Sequence, residues 1–462
     1  GTYRAFVDQL PRLDALGVTA IELLPVHQTD PQEGSYWGYM PLCFGAVHAQ
    51  YAAGDDPAAE LAALVAAAHE LDIEVWLDVV VNHTTEVDAA GPTYHLRGLD
   101  DAMYRRRGDG SYIETTGCGN DVDADHPAAQ DLVVWSLDRL ADLGVDGFRF
   151  DLAAVLSRSP SMMSRLEAWA RTRDVRTIAE AWDAAGGYQV GRTWPGTGWM
   201  QWNDRFRNDV RSFLRADDGS AALMEQRVQG SPDLFDAPGD SINYLSCHDG
   251  FTLYDVFAYD AKHNGANGHG NRDGADDNRS WNCGWEGDDG APDTVLALRR
   301  RQLRNAWCLL AMSHGVPMVA AGDEHGRTQG GNNNAYNQDN ATSWIDYARR
   351  DEFADLEHFV TGLLALRARH AVLTQPEWWG DALTFLDRRG VDGSTAGPSI
   401  GWSVGDLCVL ANAWWHPTEF ALPPGSWTMA VDTNQADLLD PPTPVDASAY
   451  VVGPRSAVIL TR

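Results

Sequence analysis

The sequence predicts an α/β fold, a (β/α)8 TIM barrel that lacks its first strand, followed by a small all-β C-terminal domain. Short apolar runs alternate with amphipathic helices over about the first 325 residues, which is typical of parallel strands joined by helical crossovers. Charged and polar residues follow the ends of these runs. After about residue 375, short alternating runs separated by Pro- and Gly-containing turns replace the helical pattern, which indicates a separate β domain.

Seven segments are candidate strands of the barrel. They cover residues 20–25, 73–80, 145–150, 175–179, a weak one at 199–202, 242–245 and 316–320. Seven strands do not close an eight-stranded barrel, and the chain opens directly into a helix-like stretch at 3–16. We therefore expect the first strand to be absent.

Three helices between these strands carry start and stop signals. Asp56 and Pro57 suit the N-cap and first position of a helix that runs to Leu71. A second helix begins at Pro127 and ends at Gly144, and a third spans 294–314 before Gly315. Each has apolar residues at helical spacing, so each is expected to pack one face on the core.

The change of pattern divides the chain into two predicted domains. We expect residues 1–370 to form the (β/α)8 barrel, incomplete at its N-terminal end, and residues 371–462 to form a C-terminal β-sandwich domain. The strand candidates of the second domain lie at 383–386, 407–411, 426–431 and 456–460.

Composition excludes several classes of partner and location. A formal net charge of −31 opposes binding to nucleic acid or to an anionic membrane, because phosphate groups would be repelled. No run of about 18 apolar residues spans a membrane, and no basic segment precedes an apolar one at the start of the chain. The six cysteines form no C-x-x-C pair and no disulfide pattern, which favours reduced thiols in the cytoplasm.

Polar side chains lie just beyond five of the strand candidates. They are Asn82 and His83, Arg149 and Asp151, Glu180, His248 and Asp249, and Asp323 and Glu324. In an α/β barrel the C-terminal strand ends share one face, so residues distant in sequence converge there. Arg149 lies two positions before Asp151 and therefore on the same side of the strand, where its charge can keep that carboxylate ionised.

Four of these segments resemble the signatures of the α-amylase superfamily, in the same order. They are DVVVNH (78–83), GFRFDLA (147–153), the glutamate of IAEAWD (178–183) and LSCHDG (245–250). The segments 17–28, 36–39, 243–264, 271–287 and 321–344 resemble the isoamylase-type glycogen debranching enzymes. The likeness extends over most of residues 1–350.

The resemblance implies a role for each matching residue. Asp151 is expected to be the nucleophile, Glu180 the general acid/base, and Asp249 the carboxylate that stabilises the transition state. The positions expected to bind the reacting sugar are Tyr39, His83, Arg149 and His248.

The implied reaction is retaining hydrolysis of α-1,6 branch linkages in glycogen, amylopectin or limit dextrin. One carboxyl protonates the leaving oxygen and the other attacks the anomeric carbon. Two alternatives stay open. The chain could be a 4-α-glucanotransferase or α-1,4-glucan hydrolase with the same three acids. It could also be an inactive or glucan-binding fragment, because neither a first strand nor the usual N-terminal carbohydrate-binding domain is recognisable. The region of Asn82 resembles one that contributes to calcium binding in some amylases, but Asp and Asn in loops are more often turn formers. We therefore predict no metal and no other cofactor.

Overall fold

The structure, a computed structural model, describes residues 1–30 and 36–462. These residues form two compact units, Gly1–Trp202 and Asn203–Arg462. This division does not coincide with the predicted boundary between residues 370 and 371, and that boundary stays a prediction.

The first unit contains six α-helices and the strands β1 to β7. The helices are α1 (Tyr3–Val7), α2 (Leu10–Leu16), α3 (Pro57–His69), α4 (Leu96–Asp100), α5 (Pro127–Ala141) and α6 (Pro160–Arg173) in the described residues. The strands are β1 (Ala20–Leu23), β2 (His27–Thr29), β3 (Pro41–Val47), β4 (Glu74–Val79), β5 (Gly147–Phe150), β6 (Arg176–Ala179) and β7 (Met200–Asn203).

Five of these strands form a parallel array in the order β1-β4-β5-β6-β7. Each coincides with a segment predicted as a barrel strand, so these five predictions are confirmed. In the register, Glu22 pairs with Trp76, Asp78 with Arg149, and Arg149 with Ile178. Because side chains on one strand alternate between faces, this register places Asp78 and Arg149 on the same face.

The predicted helices begin where their capping residues indicate. The side chain of Asp56 accepts a hydrogen bond from the amide of Ala59 at 3.0 Å, and Pro57 opens α3. Helix α5 likewise begins at Pro127, and Gly144, which lies beyond its end, has a φ of +94°, a backbone conformation typical of glycine. The stretch predicted as one helix at 3–16 is two helices, α1 and α2.

Strand β3 was not predicted. Residues 41–47 pair antiparallel with β2 through an irregular register, so their conformation depends on a neighbouring strand rather than on a local apolar pattern. Phe44 and Val47 of this strand are buried, and the strand packs against α5.

The second unit contains the remaining helices and strands. Its helices are α7 (Asp204–Arg215), α8 (Ser220–Arg227), α9 (Leu253–Val256), α10 (Asp293–Met312), α11 (Arg349–Glu352) and α12 (Ala354–Arg369). Its strands are β8 (Ser241–Tyr244), β9 (Val316–Met318), β10 (Leu383–Phe385), β11 (Arg388–Gly390), β12 (Ser399–Val404), β13 (Leu407–Asn412), β14 (Thr418–Ala421), β15 (Trp427–Asp432), β16 (Thr443–Val445), β17 (Ala449–Val452) and β18 (Ser456–Thr461).

Strands β8 and β9 are parallel neighbours and match the last two predicted barrel strands. The other nine strands form two antiparallel sheets, ordered β10-β12-β13-β18-β15-β16 and β11-β14-β17. A core that includes Leu410, Phe420, Trp427, Val452 and Leu460 joins the two sheets. The C-terminal residues are therefore all-β, as predicted, with more strands than the four runs indicated.

In the described part of the chain, none of the helices has both the length and the apolar character that a membrane crossing needs.

Candidate active site

Three adjacent parallel strands carry the acidic and basic groups of the first unit to one place. Asp78 lies near the end of β4 and Arg149 is its register partner on β5. Asp151 follows β5 directly, and Glu180 follows β6. The amide of Asp151 donates to the carbonyl of Val79, and the amide of Glu180 donates to the carbonyl of Phe150, so the ladder continues past the strand ends.

The guanidinium of Arg149 contacts three carboxyl groups. Its Nη1 lies 2.7 Å from Oδ2 of Asp78 and 3.3 Å from Oδ1 of Asp151, and its Nη2 lies 3.0 Å from Oε2 of Glu180. The guanidinium also lies over the ring of Trp202, 4.3 Å from the ring centroid. One planar cation with several fixed donors therefore sets the positions of all three acids.

Burial divides the four side chains, Arg149 and the three acids, into two pairs. The side chains of Arg149 and Asp78 are each only 1% exposed, whereas those of Asp151 and Glu180 are 10% and 11% exposed. The first two form a buried ion pair, and the last two keep accessible surface. Burial alone would lower the pKa of Arg149, but the carboxylates of Asp78 and Glu180 outweigh it and raise that pKa well above its ordinary value.

Glu180 is an acid whose pKa lies above its ordinary value. Burial raises the pKa of Glu180 to about 8, with the charge of Asp151 adding to the effect and that of Arg149 opposing it. The amide of Leu152 donates to Oε2 of Glu180 at 2.8 Å. Leu152 has a φ of +39°, an uncommon conformation for a residue with a side chain, and this turn directs its N–H at the acid.

Asp151 receives donors on both carboxyl oxygens. Arg149 contacts Oδ1, and the side-chain amide of Asn82 donates to Oδ2 at 3.0 Å. The same amide nitrogen also donates to the backbone carbonyl of Asp151. These contacts fix the orientation of the carboxylate and leave part of it accessible.

His83 and Tyr39 are held against the same group of acids. Nε2 of His83 lies 2.6 Å from the carbonyl of Tyr39, and Nδ1 faces the side-chain oxygen of Asn82. The hydroxyl of Tyr39 donates to Oδ2 of Asp78 at 2.5 Å. Burial would lower the pKa of His83, but the side chain of Cys118 and the charge of Asp151 outweigh it and raise the pKa to about 9. Two acceptors around the ring are consistent with an imidazolium that donates from both nitrogens.

The second acid of the IAEAWD segment has a different environment. Oδ1 of Asp183 accepts the amides of Ala185 and Gly187 at 2.9 and 2.7 Å, and Oδ2 pairs with Arg158. Asp183 thus closes the turn after β6. Of the two acids in the segment, Glu180 is the one that contacts Arg149.

His248 and Asp249 lie in the second unit, directly after β8. Asp249 is exposed and His248 is half-buried. The thiol of Cys247 donates to the carbonyl of Asp249 at 3.1 Å, and the amide of Gly250, at a φ of +112°, donates to the carbonyl of Asn333 at 3.0 Å. The turn after β8 thereby fixes the backbone of both predicted residues.

Asp323 accepts hydrogen bonds from residues on both sides of this turn. Its Oδ2 accepts the hydroxyl of Ser246, and its Oδ1 accepts the amide of Leu253 at 3.1 Å. Burial raises the pKa of Asp323 to about 6, and these hydrogen bonds oppose the rise. Asp323 is therefore a structural anchor of the segment that carries His248 and Asp249. Glu324 is also buried and accepts the amide of Gly322 at 2.8 Å.

Side-chain amides connect the loops of the second unit. Nδ2 of Asn264 donates to Oδ1 of Asn333 at 2.8 Å, and the backbone amide of Asn333 donates to Oδ1 of Asn264 at 3.0 Å. Asn332 donates to Asn267 at 2.8 Å. Oδ2 of Asp255 accepts the amide of Gln329 at 2.8 Å. The side-chain amide of Asn333 also donates to Oδ1 of Asn278 at 2.9 Å, so the segments 243–264, 271–287 and 321–344, which were singled out in the sequence, form one hydrogen-bonded group.

Sequence reasoning assigned no role to Asp78, and it gave Asn82 no role towards Asp151. Asp78 accepts both Arg149 and Tyr39, and Asn82 contacts Asp151 and His83. The available signal was an acid inside the apolar run DVVV, since a carboxylate at a buried strand position requires a cationic or hydrogen-bonding partner.

The described residues contain no group of three or more His, Cys, Asp or Glu side chains arranged for a metal ion. All six cysteines are free thiols. The predicted independence from metal and other cofactors stays a prediction.

This chain is similar to known proteins over nearly its whole length. The family described as alpha amylase, catalytic domain, matches residues 1–92. The glycogen operon protein GlgX homolog of Mycobacterium bovis is 38% identical over 544 residues, which cover 100% of this chain and 73% of that protein. The glycogen debranching enzyme of Pectobacterium carotovorum subsp. carotovorum is 42% identical over 451 residues, covering 90% of this chain and 67% of that enzyme.

Solved structures show the same fold. A pullulanase from Bacillus acidopullulyticus matches 98% of this chain with a TM-score of 0.81 at 24% identity, and this chain spans 55% of its length. A type I pullulanase from Bacillus subtilis str. 168, complexed with maltose, matches 98% of the chain with a TM-score of 0.80 at 23% identity, over 64% of that enzyme. The likeness confirms the predicted class of an α/β barrel with a C-terminal all-β region. Because it is 38% and 42% identical to the GlgX homolog and the glycogen debranching enzyme over most of their length, the chain belongs to the α-amylase superfamily and, within it, to the isoamylase-type glycogen debranching enzymes.

Proposed function

We propose that this chain is a retaining glycoside hydrolase that cleaves α-1,6 branch linkages of glycogen, amylopectin or limit dextrin. The observation that carries the proposal is the pair of accessible acids, Asp151 and Glu180, on the single buried guanidinium of Arg149. Membership of the debranching family supports the choice of substrate and linkage.

Glu180 is proposed as the general acid of the first step. An acid must carry its proton when the glycosidic oxygen leaves, and a pKa near 8 keeps Glu180 protonated at neutral pH. After the leaving glucan chain has departed with that proton, the ionised Glu180 takes a proton from the water that attacks the glycosyl ester on Asp151. The same carboxyl thus serves as acid and then as base.

Asp151 is proposed as the nucleophile. Its carboxylate attacks the anomeric carbon as the bond to the leaving oxygen breaks, which gives a glycosyl ester that water then hydrolyses. Two carboxyls bound to one guanidinium are close neighbours, which favours the retaining spacing of about 5–5.5 Å over the inverting spacing of about 6.5–9.5 Å. Two successive inversions at the anomeric carbon give net retention.

The other predicted residues are proposed to hold the sugar. Asp249 would stabilise positive charge at the anomeric carbon, and His83, its ring oriented by Asn82 and Tyr39, would contact the reacting sugar. His248 would bind a sugar hydroxyl. Because the hydroxyl of Tyr39 donates to Asp78, its ring is the part proposed to contact the sugar.

Two further expectations belong to this proposal. The substrate is cytoplasmic α-glucan, which is consistent with six free thiols. Turnover requires no metal, so extensive dialysis against EDTA is expected to leave it unchanged. Loss of turnover that calcium restores would contradict this expectation.

Product analysis tests the reaction. The purified chain is incubated with β-limit dextrin, pullulan and amylose, and the products are separated by chain length. Debranching predicts linear maltooligosaccharides with new reducing ends from the branched substrate and no shortening of amylose. Shortened amylose would indicate α-1,4 hydrolysis, and both longer and shorter chains without new reducing ends would indicate glucan transfer.

The stereochemistry is tested by following the first product by proton NMR. A retaining enzyme releases the α-anomer, which then mutarotates. Initial release of the β-anomer would contradict the roles given to Asp151 and Glu180.

A further inference from the structure

A fourth acid, Glu22, lies beside the group formed by Asp78, Arg149, Asp151 and Glu180. Glu22 is on β1, and its register partner on β4 is Trp76. Asp78 follows Trp76 by two residues and therefore shares its face, and Arg149 is the partner of Asp78 on β5. The side chain of Glu22 consequently belongs to the face of the sheet that carries Arg149.

The charges on this face do not balance if every acid is ionised. Arg149 is in contact with Asp78, Asp151 and Glu180, and Glu22 feels the charges of both Asp78 and Arg149. Three carboxyls thus contact one guanidinium, and a fourth lies within range of its charge. Buried like charges at such distances disfavour full ionisation, so this face must hold protons.

Asp78 has one buried oxygen that needs a donor. Its Oδ2 accepts Arg149 at 2.7 Å and Tyr39 at 2.5 Å. Its Oδ1 is buried and has no hydrogen-bond partner within residues 1–30 and 36–462. A buried acceptor without a donor is unfavourable, and the O–H of a protonated carboxylic acid is a donor suited to a carboxylate.

We propose that Glu22 is a positioning residue whose protonated carboxyl donates a hydrogen bond to Oδ1 of Asp78 and thereby fixes Arg149 against Asp151 and Glu180. Glu22 touches neither substrate nor the reacting atoms in this scheme. It acts through the Asp78–Arg149 ion pair. The catalytic part of the inference rests on the proposed function.

The pKa values of Glu22 and Asp78 support Glu22 as the protonated member of this pair. Burial raises the pKa of Glu22 to about 8; the charge of Asp78 adds to the rise, while Arg149 and a hydrogen bond from Trp202 oppose it. Burial also raises the pKa of Asp78, but only to about 6, because Arg149 and Tyr39 stabilise its charge. At pH 7 the proton therefore resides on Glu22.

Two substitutions of similar size separate positioning from space filling. Glu22→Gln keeps a donor, and Glu22→Met fills the same volume without one. At pH 6 we expect Glu22→Gln to keep kcat within about 3-fold of the parent, whereas Glu22→Met lowers kcat by about 10- to 100-fold with little change in KM. Equal kcat for the two variants would overturn the positioning role.

Thermal melting tests the proton without using activity. A folded-state pKa raised from 4.5 to about 8 contributes stability that is complete below pH 4.5 and is lost as the pH rises towards 8. Glu22→Gln cannot ionise, so its melting temperature relative to the parent should increase between pH 5 and pH 8 and then level off. A difference that stays constant with pH would overturn the protonated state of Glu22.

The two measurements distinguish this inference from the proposed function. A parent that turns over no glucan would refute the proposed function and the catalytic part of the inference, while the melting profiles would still decide whether Glu22 holds the proton. Normal turnover with equal variants would refute the inference alone.

Discussion

At the scale of single residues, the properties of the site follow from the burial of Arg149. Its side chain is 1% exposed, so its contacts with carboxylates are screened little by water. The same cation contacts Asp151, which is held in a fixed orientation, and Glu180, whose pKa is raised by burial. The raised pKa of Glu180 therefore arises from its burial and from the charge of Asp151, not from any special chemistry of its side chain.

Replacement of Asp151 by Asn should abolish turnover. The amide keeps the shape of the side chain but is not a nucleophile, so we expect kcat on β-limit dextrin to fall by on the order of 10⁴-fold or more. The variant should melt within a few degrees of the parent, which serves as the control for folding. Substantial residual turnover in a folded variant would rule out Asp151 as the nucleophile.

The raised pKa of Glu180 predicts the alkaline limit of activity. The protonated form is the active acid, so kcat/KM should be constant below about pH 7 and fall as the pH rises through about 8. Initial rates measured from pH 5 to pH 10 in buffers of constant ionic strength test this. Glu180→Gln should lower kcat by about 10²- to 10⁴-fold and remove the part of the alkaline limit that belongs to Glu180, which the double variant Glu22→Gln/Glu180→Gln separates from any part that belongs to Glu22. An alkaline limit that survives in this variant would belong to another group.

At the scale of elements, the site depends on close approach of neighbouring strands. Gly147 on β5 is the register partner of Trp76 on β4. A Cβ at Gly147 would lie 2.9 Å from Cδ1 and 3.0 Å from Cγ of the Trp76 ring. The absence of a side chain at Gly147 thus allows the ring to lie against β5, two residues before Arg149.

Gly147→Ala should therefore destabilise the fold. The added methyl overpacks the strand pair, and we expect the free energy of unfolding to fall by about 1–3 kcal/mol. Gly239→Ala is the matched control, because its Cβ would meet nothing within 4 Å and its φ is not positive. Urea denaturation of both variants measures the difference. Equal stability would mean that Trp76 moves aside without loss.

At the scale of the whole molecule, the excess of acidic residues controls how stability responds to salt. A formal net charge of −31 produces repulsion between exposed carboxylates that is released on unfolding. Salt screens this repulsion, with a Debye length of about 10 Å at 0.1 M.

The melting temperature should accordingly rise by a few degrees between 20 mM and 200 mM salt. Sodium, potassium and lithium chloride should act alike, because screening depends on ionic strength. A rise with one cation only would point to a specific binding site instead. A fall in melting temperature would show that attractive ion pairs outweigh the repulsion.

Local pattern was sufficient for most elements and insufficient for a few. Helix α3 begins at Pro57 as predicted because the cap of Asp56 is encoded within four residues. Strand β3 was missed because its conformation depends on antiparallel pairing with β2. The C-terminal region showed four runs but holds nine strands, several of them only three or four residues long, too short for a clear alternation.

The sequence by itself determined the α/β class, the seven parallel strands, and the acids that follow their ends, because periodicity, caps and motifs are local. Only the tertiary structure decided that Asp78 and Tyr39 bind each other, that Arg149 contacts three carboxyls, and that Glu22 lies on the same face. The Tyr39–Asp78 and Arg149–Asp78 contacts join residues 39 and 71 positions apart, and the second depends on the register between separate strands. Register is set by packing and hydrogen bonding across the sheet, which no single segment of the sequence contains.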